Sequence, residues 1–337
     1  MPDSHPTWGT VSTVLEPPQV LLAFAAHHLQ AGASEIHLYL DQPCPQLQEW
    51  VADNPRVVIT LCDAAYWRRE HGRDRPPDSR YRQILNAGHA YARTRCDWLA
   101  HVDGDEFFIR VPQILAFLRS RPQTVTAVTV LNAELVQLRG RPPKTIFDGV
   151  FRKPFPHGYD AAQRRVYGAG ADFLLRGLSG HAIGKTFFRT GAGLVPDLHE
   201  PAPVAEWRDR TNPARHWFPR IGLLHVDGFT RTHWQAKLAS RVQRLRGTVL
   251  HGHNPARTRQ IEIFLQSGPE APEVGALYDA TRTLTLWQIL LLLRYHKLLP
   301  ARLRVSDALA SQFPGVAVDL SPAAIDAAHA SMHRKTA

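Results

Sequence analysis

The chain has 337 residues, 44% of them hydrophobic, a formal net charge of +10 and a sequence pI of about 9.9. That length can bury one large core or two modest ones. No run of eighteen apolar residues occurs, which excludes a membrane-spanning helix. Cys44, Cys62 and Cys96 are too few and too scattered for a disulfide framework or a zinc site. Residues 1–6 lack the basic start and apolar stretch of a signal peptide, so none is expected, and the sparse cysteines favour a reducing cytoplasm. The positive charge is mostly arginine and is spread along the chain. It suits an anionic partner such as a nucleotide or an acidic lipid surface. It lacks the basic stripe with interleaved aromatics of a nucleic-acid module, so no nucleic acid is expected as partner.

Residues 10–15 read as a short strand, and Pro17-Pro18 suit the first turn of a helix running to Ala31 and stopped by Gly32. Residues 35–40 read as a second strand, 45–52 as a helix and 57–61 as a third strand. The charged, proline-containing stretch 69–79 reads as a loop. Residues 81–95 have helical spacing through Ile84, Leu85, Gly88 and Tyr91. A fourth strand over 98–102, a helix over 112–120 and a strand over 125–131 follow. Strands alternating with helices predict an α/β fold with a mostly parallel sheet flanked by helices. From 140 to 217 the pattern weakens into loops and short β-like pieces such as 185–189, expected to add antiparallel strands. Residues 230–337 read as mainly helical. Within them the apolar stretch 284–299 is either a packed core helix or an interfacial helix, the latter implying peripheral contact with an inner membrane.

The most informative run is Asp97-Trp98-Leu99-Ala100-His101-Val102-Asp103-Gly104-Asp105-Glu106-Phe107-Phe108. An apolar strand ends in three acids within four residues. Such acids repel at neutral pH unless a positive charge sits among them. A hard divalent cation, Mg²⁺ or Mn²⁺, takes oxygen ligands and leaves positions open for phosphate oxygens. Gly104, without a Cβ, allows close approach of a bulky anion. In parallel sheets ligands bind beyond the carboxyl ends of the strands. Asp41 and Asp103 both follow predicted strands, so they are expected to share one sheet edge with Glu16.

The acid run resembles the Asp-x-Asp motif of GT-A-fold glycosyltransferases, in particular the family 2-related and family 92-like bacterial enzymes, whose motif continues as Asp-Glu-Phe. Upstream, Thr13-Val14-Leu15-Glu16, His27-His28-Leu29-Gln30-Ala31-Gly32 and Ile36-His37-Leu38-Tyr39-Leu40-Asp41 are similar to the opening of those proteins, although Leu15 stands where they often carry Asn. Downstream, Gly184-Lys185-Thr186, His199-Glu200-Pro201 and Leu224-His225-Val226 resemble their later Lys, His-x-Pro and His motifs, with Val226 in place of the usual Tyr. The resemblance covers about residues 11–237. It implies a GT-A (Rossmann-like) domain over 8–229 with a helical extension over 230–337. It also implies metal-dependent, inverting transfer of a sugar from a UDP- or GDP-type donor to a glycan or lipid-linked acceptor of a bacterial surface polymer.

Glycosyl transfer needs the departing diphosphate neutralised and the acceptor hydroxyl deprotonated. On that reading Asp105 binds the metal, and Asp103 holds the ribose or a metal-bound water. Glu106 orients the pair from behind or joins the ligation. His199 is the further metal ligand or a pyrophosphate contact, with His225 as its competitor. Lys185 meets a phosphate or the sugar, or is simply solvated. Glu16 and Asp41 resemble the nucleoside-contacting acids of the family. Gln83 and Asn86, one turn apart, are either near the nucleotide or ordinary helix surface. His27 and His28 fit best as half-buried packing residues. The catalytic base is one of Asp172, Asp197 and Glu200, undecided among them.

Other classes fit less well. A nucleotidyltransferase would need a glycine-rich phosphate loop where Glu16-Pro17-Pro18 stands. The acid run lacks the later ligands of an EF-hand. Gly168-Ala169-Gly170-Ala171-Asp172-Phe173 lacks the third glycine of a dinucleotide fingerprint. A catalytically silent sugar-nucleotide or glycan-binding protein is the alternative that keeps the acids and lacks the base.

Overall fold

The computed structural model describes residues 5–199, 201–203, 214–245 and 255–334. In chain order its elements begin β1 (Trp8–Val14), α1 (Pro18–Gln30), β2 (Glu35–Leu40), α2 (Pro45–Val51), β3 (Val57–Leu61), α3 (Ala64–His71), α4 (Ser79–Tyr91), β4 (Trp98–His101), β5 (Glu106–Phe108) and α5 (Val111–Arg119). They continue with β6 (Ala127–Leu138), β7 (Val150–Arg152), α6 (Asp160–Tyr167), β8 (Lys185–Arg189), β9 (Leu194–Pro196), β10 (Pro201–Pro203) and β11 (Arg215–His225). Then come α7 (Arg231–Leu245), α8 (Pro255–Ser267), α9 (Pro272–Arg282), β12 (Thr283–Leu284), α10 (Leu286–Arg294), β13 (Leu298–Leu299), α11 (Val305–Gln312) and α12 (Pro322–Arg334).

The chain forms two compact units. One comprises Met1–Leu131, Ile183–Leu223 and Arg304–Val318; the other comprises Asn132–Ala182, Leu224–Leu303 and Asp319–Ala337. They interleave along the chain, so the stretches 8–229 and 230–337 each contribute to both.

The first unit has the expected mixed α/β architecture. β3, β2, β1 and β4 lie side by side and run parallel, in registers that include Val57 with Ile36, Val11 with His37, and Trp8 with Trp98. β8 then joins β4 antiparallel (Leu99 with Phe188), and the start of β6 pairs antiparallel with β8 (Val128 with Phe187). α1 begins at Pro18, whose missing N–H costs nothing in a first turn. Val20, Leu21, Leu22 and Phe24 of α1 are all buried, and α1 lies against α2 and α11. The stretch 69–79 is only partly a loop, because α3 extends to His71. Asp63 caps that helix by accepting the Tyr66 N–H at 2.7 Å, and buried Tyr66 and Trp67 anchor it. The charged Arg68-Arg69-Glu70 face hides this helix in the sequence.

In the second unit the later part of β6 pairs antiparallel with β7, β7 with β13, and the end of β6 runs parallel to β12. β6 is longer than the apolar run 125–131 predicts. Buried Asn132 and Glu134 interrupt the hydrophobic pattern, yet both are hydrogen-bonded: the Asn132 amide donates to the His181 carbonyl at 2.9 Å. Trp234, Leu238, Ile261, Phe264, Val274 and Leu277 form a core for α7, α8 and α9. The stretch 284–299 is not one long helix. It is β12, the nine-residue α10 and β13, with Leu291 and Leu292 turned into a core with Phe155 and Val166. No helix among the described residues is long and apolar enough to cross a membrane.

One glycine constrains how two strands of the first unit's sheet approach each other. Gly184 enters β8 with φ of +74°, and a Cβ there would lie 2.1 Å from the Val130 carbonyl oxygen. Gly184→Ala therefore requires both a strained backbone and a displaced β6. We expect a loss of at least about 2 kcal/mol of stability, or failure to fold, read from the urea midpoint.

Candidate active site

The parallel register of β1, β2 and β4 brings their carboxyl ends to one edge, with Glu16, Asp41 and Asp103 just beyond them. Backbone bonds hold these ends together: the Asp41 N–H donates to the Val14 carbonyl at 3.1 Å, and the Val102 N–H to the Val11 carbonyl at 3.0 Å.

The acids following β4 form a tight turn. The Glu106 N–H donates to the Asp103 carbonyl at 3.1 Å, and the Asp103 N–H donates to the Glu106 carboxylate at 2.9 Å. Glu106 is 0% exposed and Asp105 1%, while the Asp103 side chain is 36% exposed. Gly104 sits against Glu16. A Cβ there would lie 3.0 Å from Glu16 Oε2 and 3.2 Å from Val14 Cγ1, so the glycine lets the fourth carboxylate lie on the turn. Lys185, at the start of β8 and 1% exposed, reaches across with Nζ 2.8 Å from Asp103 Oδ2 and 3.4 Å from Glu106 Oε2. Burial by itself lowers the Lys185 pKa. Asp103 and Glu106, with Asp105 behind them, outweigh burial and hold it above the ordinary lysine value. Lys185 is therefore not a solvated lysine; it is a fixed cation inside the acid turn.

His101, unforeseen in the sequence, is the last residue of β4, two positions before Asp103, and is buried. Its Nδ1–H donates to the Asp197 carbonyl at 3.1 Å. Burial first, and then the Lys185 charge, bring its pKa down to about 4, so it is neutral at pH 7. The Asp197 carboxylate pairs with Arg80 at 3.1 Å. His199 Nδ1–H donates to the Gly184 carbonyl at 2.8 Å, while the His199 carbonyl accepts from Thr186 Oγ1 at 2.6 Å and Arg215 Nη2 at 3.1 Å. His199 is thus anchored to the residue before Lys185. Glu200 lies outside the described residues.

Asp41 accepts from Arg82 Nη2 at 2.8 Å and Nε at 3.2 Å, and pairs with Arg75 at 3.1 Å. Arg82 is buried and also donates to the Pro76 and Pro77 carbonyls, so Asp41 fixes the segment before α4. Asn86 is neither helix surface nor open to a ligand. It is buried, donating to Thr13 Oγ1 at 2.9 Å and accepting from the Tyr66 hydroxyl at 2.7 Å. Gln83, on the same helix, is half-buried. His27 Nε2–H donates to the Phe108 carbonyl at 2.7 Å, and His28 Nδ1–H to the Phe24 carbonyl at 2.9 Å. Burial lowers the pKa of both, in keeping with packing roles.

Two candidates fall in the second unit. Asp172 pairs with Arg164 at 2.7 Å and Arg259 at 3.8 Å, beside a cavity of about 440 Å³. His225 ends β11 and stacks on His181 with ring centroids 5.1 Å apart. Near it lies a buried charge network that the sequence reading missed. Glu134 accepts from Arg152 at 2.6 Å and from the Ser179 and Gly180 N–H groups at 2.9 and 2.7 Å. Asp227 faces Lys237 at 3.4 Å and Arg257 at 3.5 Å. Burial works to raise the Asp227 pKa, but Lys237, Arg257 and Arg282 hold it well below the usual carboxylate range. Asp41 and Asp227 each need a counter-charge, and arginines supply it to both. Those arginines lie tens of residues away along the chain, so local sequence pattern does not reveal them.

No protein-family model matches the chain, and no curated protein does. Solved structures do show similarity. The mannosyltransferase PcManGT from Pyrobaculum calidifontis in complex with GDP-Man and Mn²⁺ is 11% identical, over 99% of this chain and 88% of that one, with a TM-score of 0.37. TarS 1–349 from S. aureus is 8% identical over 77% and 71% of the two chains, with a TM-score of 0.33. Glucosyl-3-phosphoglycerate synthase from Mycobacterium tuberculosis, in complex with Mg²⁺ and uridine diphosphate, is 15% identical over 55% and 56%, with a TM-score of 0.29. At such identities and scores the functional reading rests on this chain's own residues.

The buried His101 makes acid sensitivity a property of this site. Its folded pKa of about 4 lies below the ordinary value of 6.5, so between those pH values the unfolded chain binds the extra proton. Stability then falls as pH drops from about 6.5 to about 4, by roughly 3 kcal/mol from this group. His27 and His28 add to the same trend, so the comparison must be made by difference. His101→Gln should flatten the change in urea midpoint between pH 7 and pH 5 relative to the parent. An unchanged slope would show that His101 titrates normally.

Proposed function

We propose that this protein is a divalent-metal-dependent glycosyltransferase. It would take a sugar from a UDP- or GDP-type donor to a hydroxyl of a glycan or lipid-linked acceptor. The supporting observation is the turn Asp103-Gly104-Asp105-Glu106, set beyond parallel strands beside Glu16 and bridged by buried Lys185. Its donors are hard oxygens, the set that Mg²⁺ or Mn²⁺ prefers. Asp103 and Asp105, with His199 as a further ligand, would hold the ion. When bound, it neutralises the departing diphosphate.

The chain's own residues do the remaining work. Glu106 fixes the turn through the Asp103 N–H. Lys185 holds Asp103 in place and stays charged across the physiological range. Asp41, clamped by Arg82 and Arg75, frames the nucleoside side of the edge. Asp197 is the described candidate base in the same unit as the turn, and it is positioned by Arg80 and His101. Inversion, and an acceptor from a bacterial surface polymer, follow from the family resemblance. A cytoplasmic site of action follows instead from the few, scattered cysteines.

A second reading, a sugar-nucleotide-binding protein without transfer, is favoured by one observation. Asp197 and Asp172 are each committed to arginine, so neither is presented as an open base. Calorimetric titration with UDP, GDP and CMP, with and without Mn²⁺, tests the donor assignment. We expect Mn²⁺-dependent binding of UDP or GDP. Asp105→Ala should weaken it at least about 10-fold without changing the circular dichroism spectrum. Equal binding by the variant would remove the metal assignment. Binding without any turnover of UDP- or GDP-sugars would select the silent reading.

A further inference from the structure

We infer that α10 is a docking face for an anionic membrane surface. Its outward side presents Leu286, Trp287, Leu290 and Leu293, with exposures of 77, 65, 57 and 53%. Their spacing places them along one side of the helix, while Leu291 and Leu292 face the core. Isolated exposed leucines need no explanation, but four large apolar side chains on nine residues, one of them Trp, form a contiguous patch. The helix is held firmly: Thr285 Oγ1 accepts the Gln288 N–H, and the Gln288 side chain accepts the Thr285 N–H at 2.8 Å. At about 13 Å it is far too short to span a bilayer, which suits a helix lying in the interface.

Charge selects a lipid surface as the occupant. Between Asp279 and Asp307 the chain carries no acid, and Arg294 at the end of α10 and Arg302 beyond it are exposed. Lys297 follows the helix, and its carbonyl accepts the Lys153 N–H at 2.7 Å, which brings a second lysine alongside. The Lys297 ammonium itself is half-buried and donates to the Pro154 carbonyl at 3.1 Å, which leaves Arg294 and Arg302 as the exposed cations of this end. An apolar strip with Trp and a cationic end matches acyl chains below and anionic headgroups around.

Sedimentation of the full chain with phosphatidylglycerol vesicles, and separately with phosphatidylcholine vesicles, tests this. We expect binding to the former, weakened by salt, and much less to the latter. Trp287→Ser with Leu290→Ser should reduce the bound fraction at least about 10-fold. These side chains project outward, so thermal melting should be unchanged. Arg294→Gln with Arg302→Gln should reduce phosphatidylglycerol binding selectively. Equal binding to both lipids, no binding, or binding unaffected by the Trp287 and Leu290 changes would overturn the proposal. So would concentration-dependent dimerisation that those changes abolish, since the face would then belong to a second copy. Vesicle binding needs no nucleotide, so its outcome is separable from the donor assignment.

Discussion

A single buried ammonium organises the first unit. Lys185 Nζ lies between the carboxylates of Asp103 and Glu106, and both it and Glu106 are removed from water. Desolvating an isolated charge is prohibitive, so this arrangement exists only because the three groups arrive together. Lys185 is brought by β8, and the acids by the turn after β4. Those strands pair antiparallel, so the ion pair and the sheet register depend on each other. Gly184 is part of the same constraint. It is the residue that allows the chain to enter β8 so close to Val130. Moving the register by one position would turn Lys185 to the opposite face and strand Glu106.

The surrounding polar groups follow from that charge. His101 stays neutral because it is buried beside a permanent cation, and a neutral imidazole with Nδ1–H committed to the Asp197 carbonyl fixes the segment that carries His199. His199 in turn bonds to the carbonyl of Gly184. The result is a closed circuit of hydrogen bonds from β4 to β8 and back. It holds oxygen donors at the carboxyl edge of a parallel sheet, where sheets of this kind bind their ligands. Preorganisation of this sort is what transfer chemistry demands, because the protein contributes positioned charge more than covalent steps.

Much of this was legible in the sequence. Alternating apolar runs separated by proline and glycine gave β2 and β3 with their observed bounds, and α1 to within a residue at its start, because these elements obey local rules. The edge shared by Glu16, Asp41 and Asp103 followed from strand ends alone. What was not legible depends on distant partners. Asn86 reads as helix surface or a residue near the nucleotide, yet it is buried because Thr13 and Tyr66 satisfy it. The extension of β6 past Leu131 is hidden by Asn132 and Glu134, polar residues tolerated in a core only because His181, Ser179, Gly180 and Arg152 supply their hydrogen bonds. The stretch 284–299 carries apolar residues for two opposite purposes, core and surface, and composition does not separate them.

The central claim is that the turn after β4 is a divalent-cation site serving a nucleoside diphosphate. The most direct test is anomalous diffraction from crystals grown with Mn²⁺ and UDP or GDP. One Mn²⁺ peak is expected within bonding distance of Asp103 or Asp105 carboxylate oxygens, with diphosphate oxygens completing its coordination. A nucleotide bound without metal, or a Mn²⁺ peak away from these acids, would contradict it.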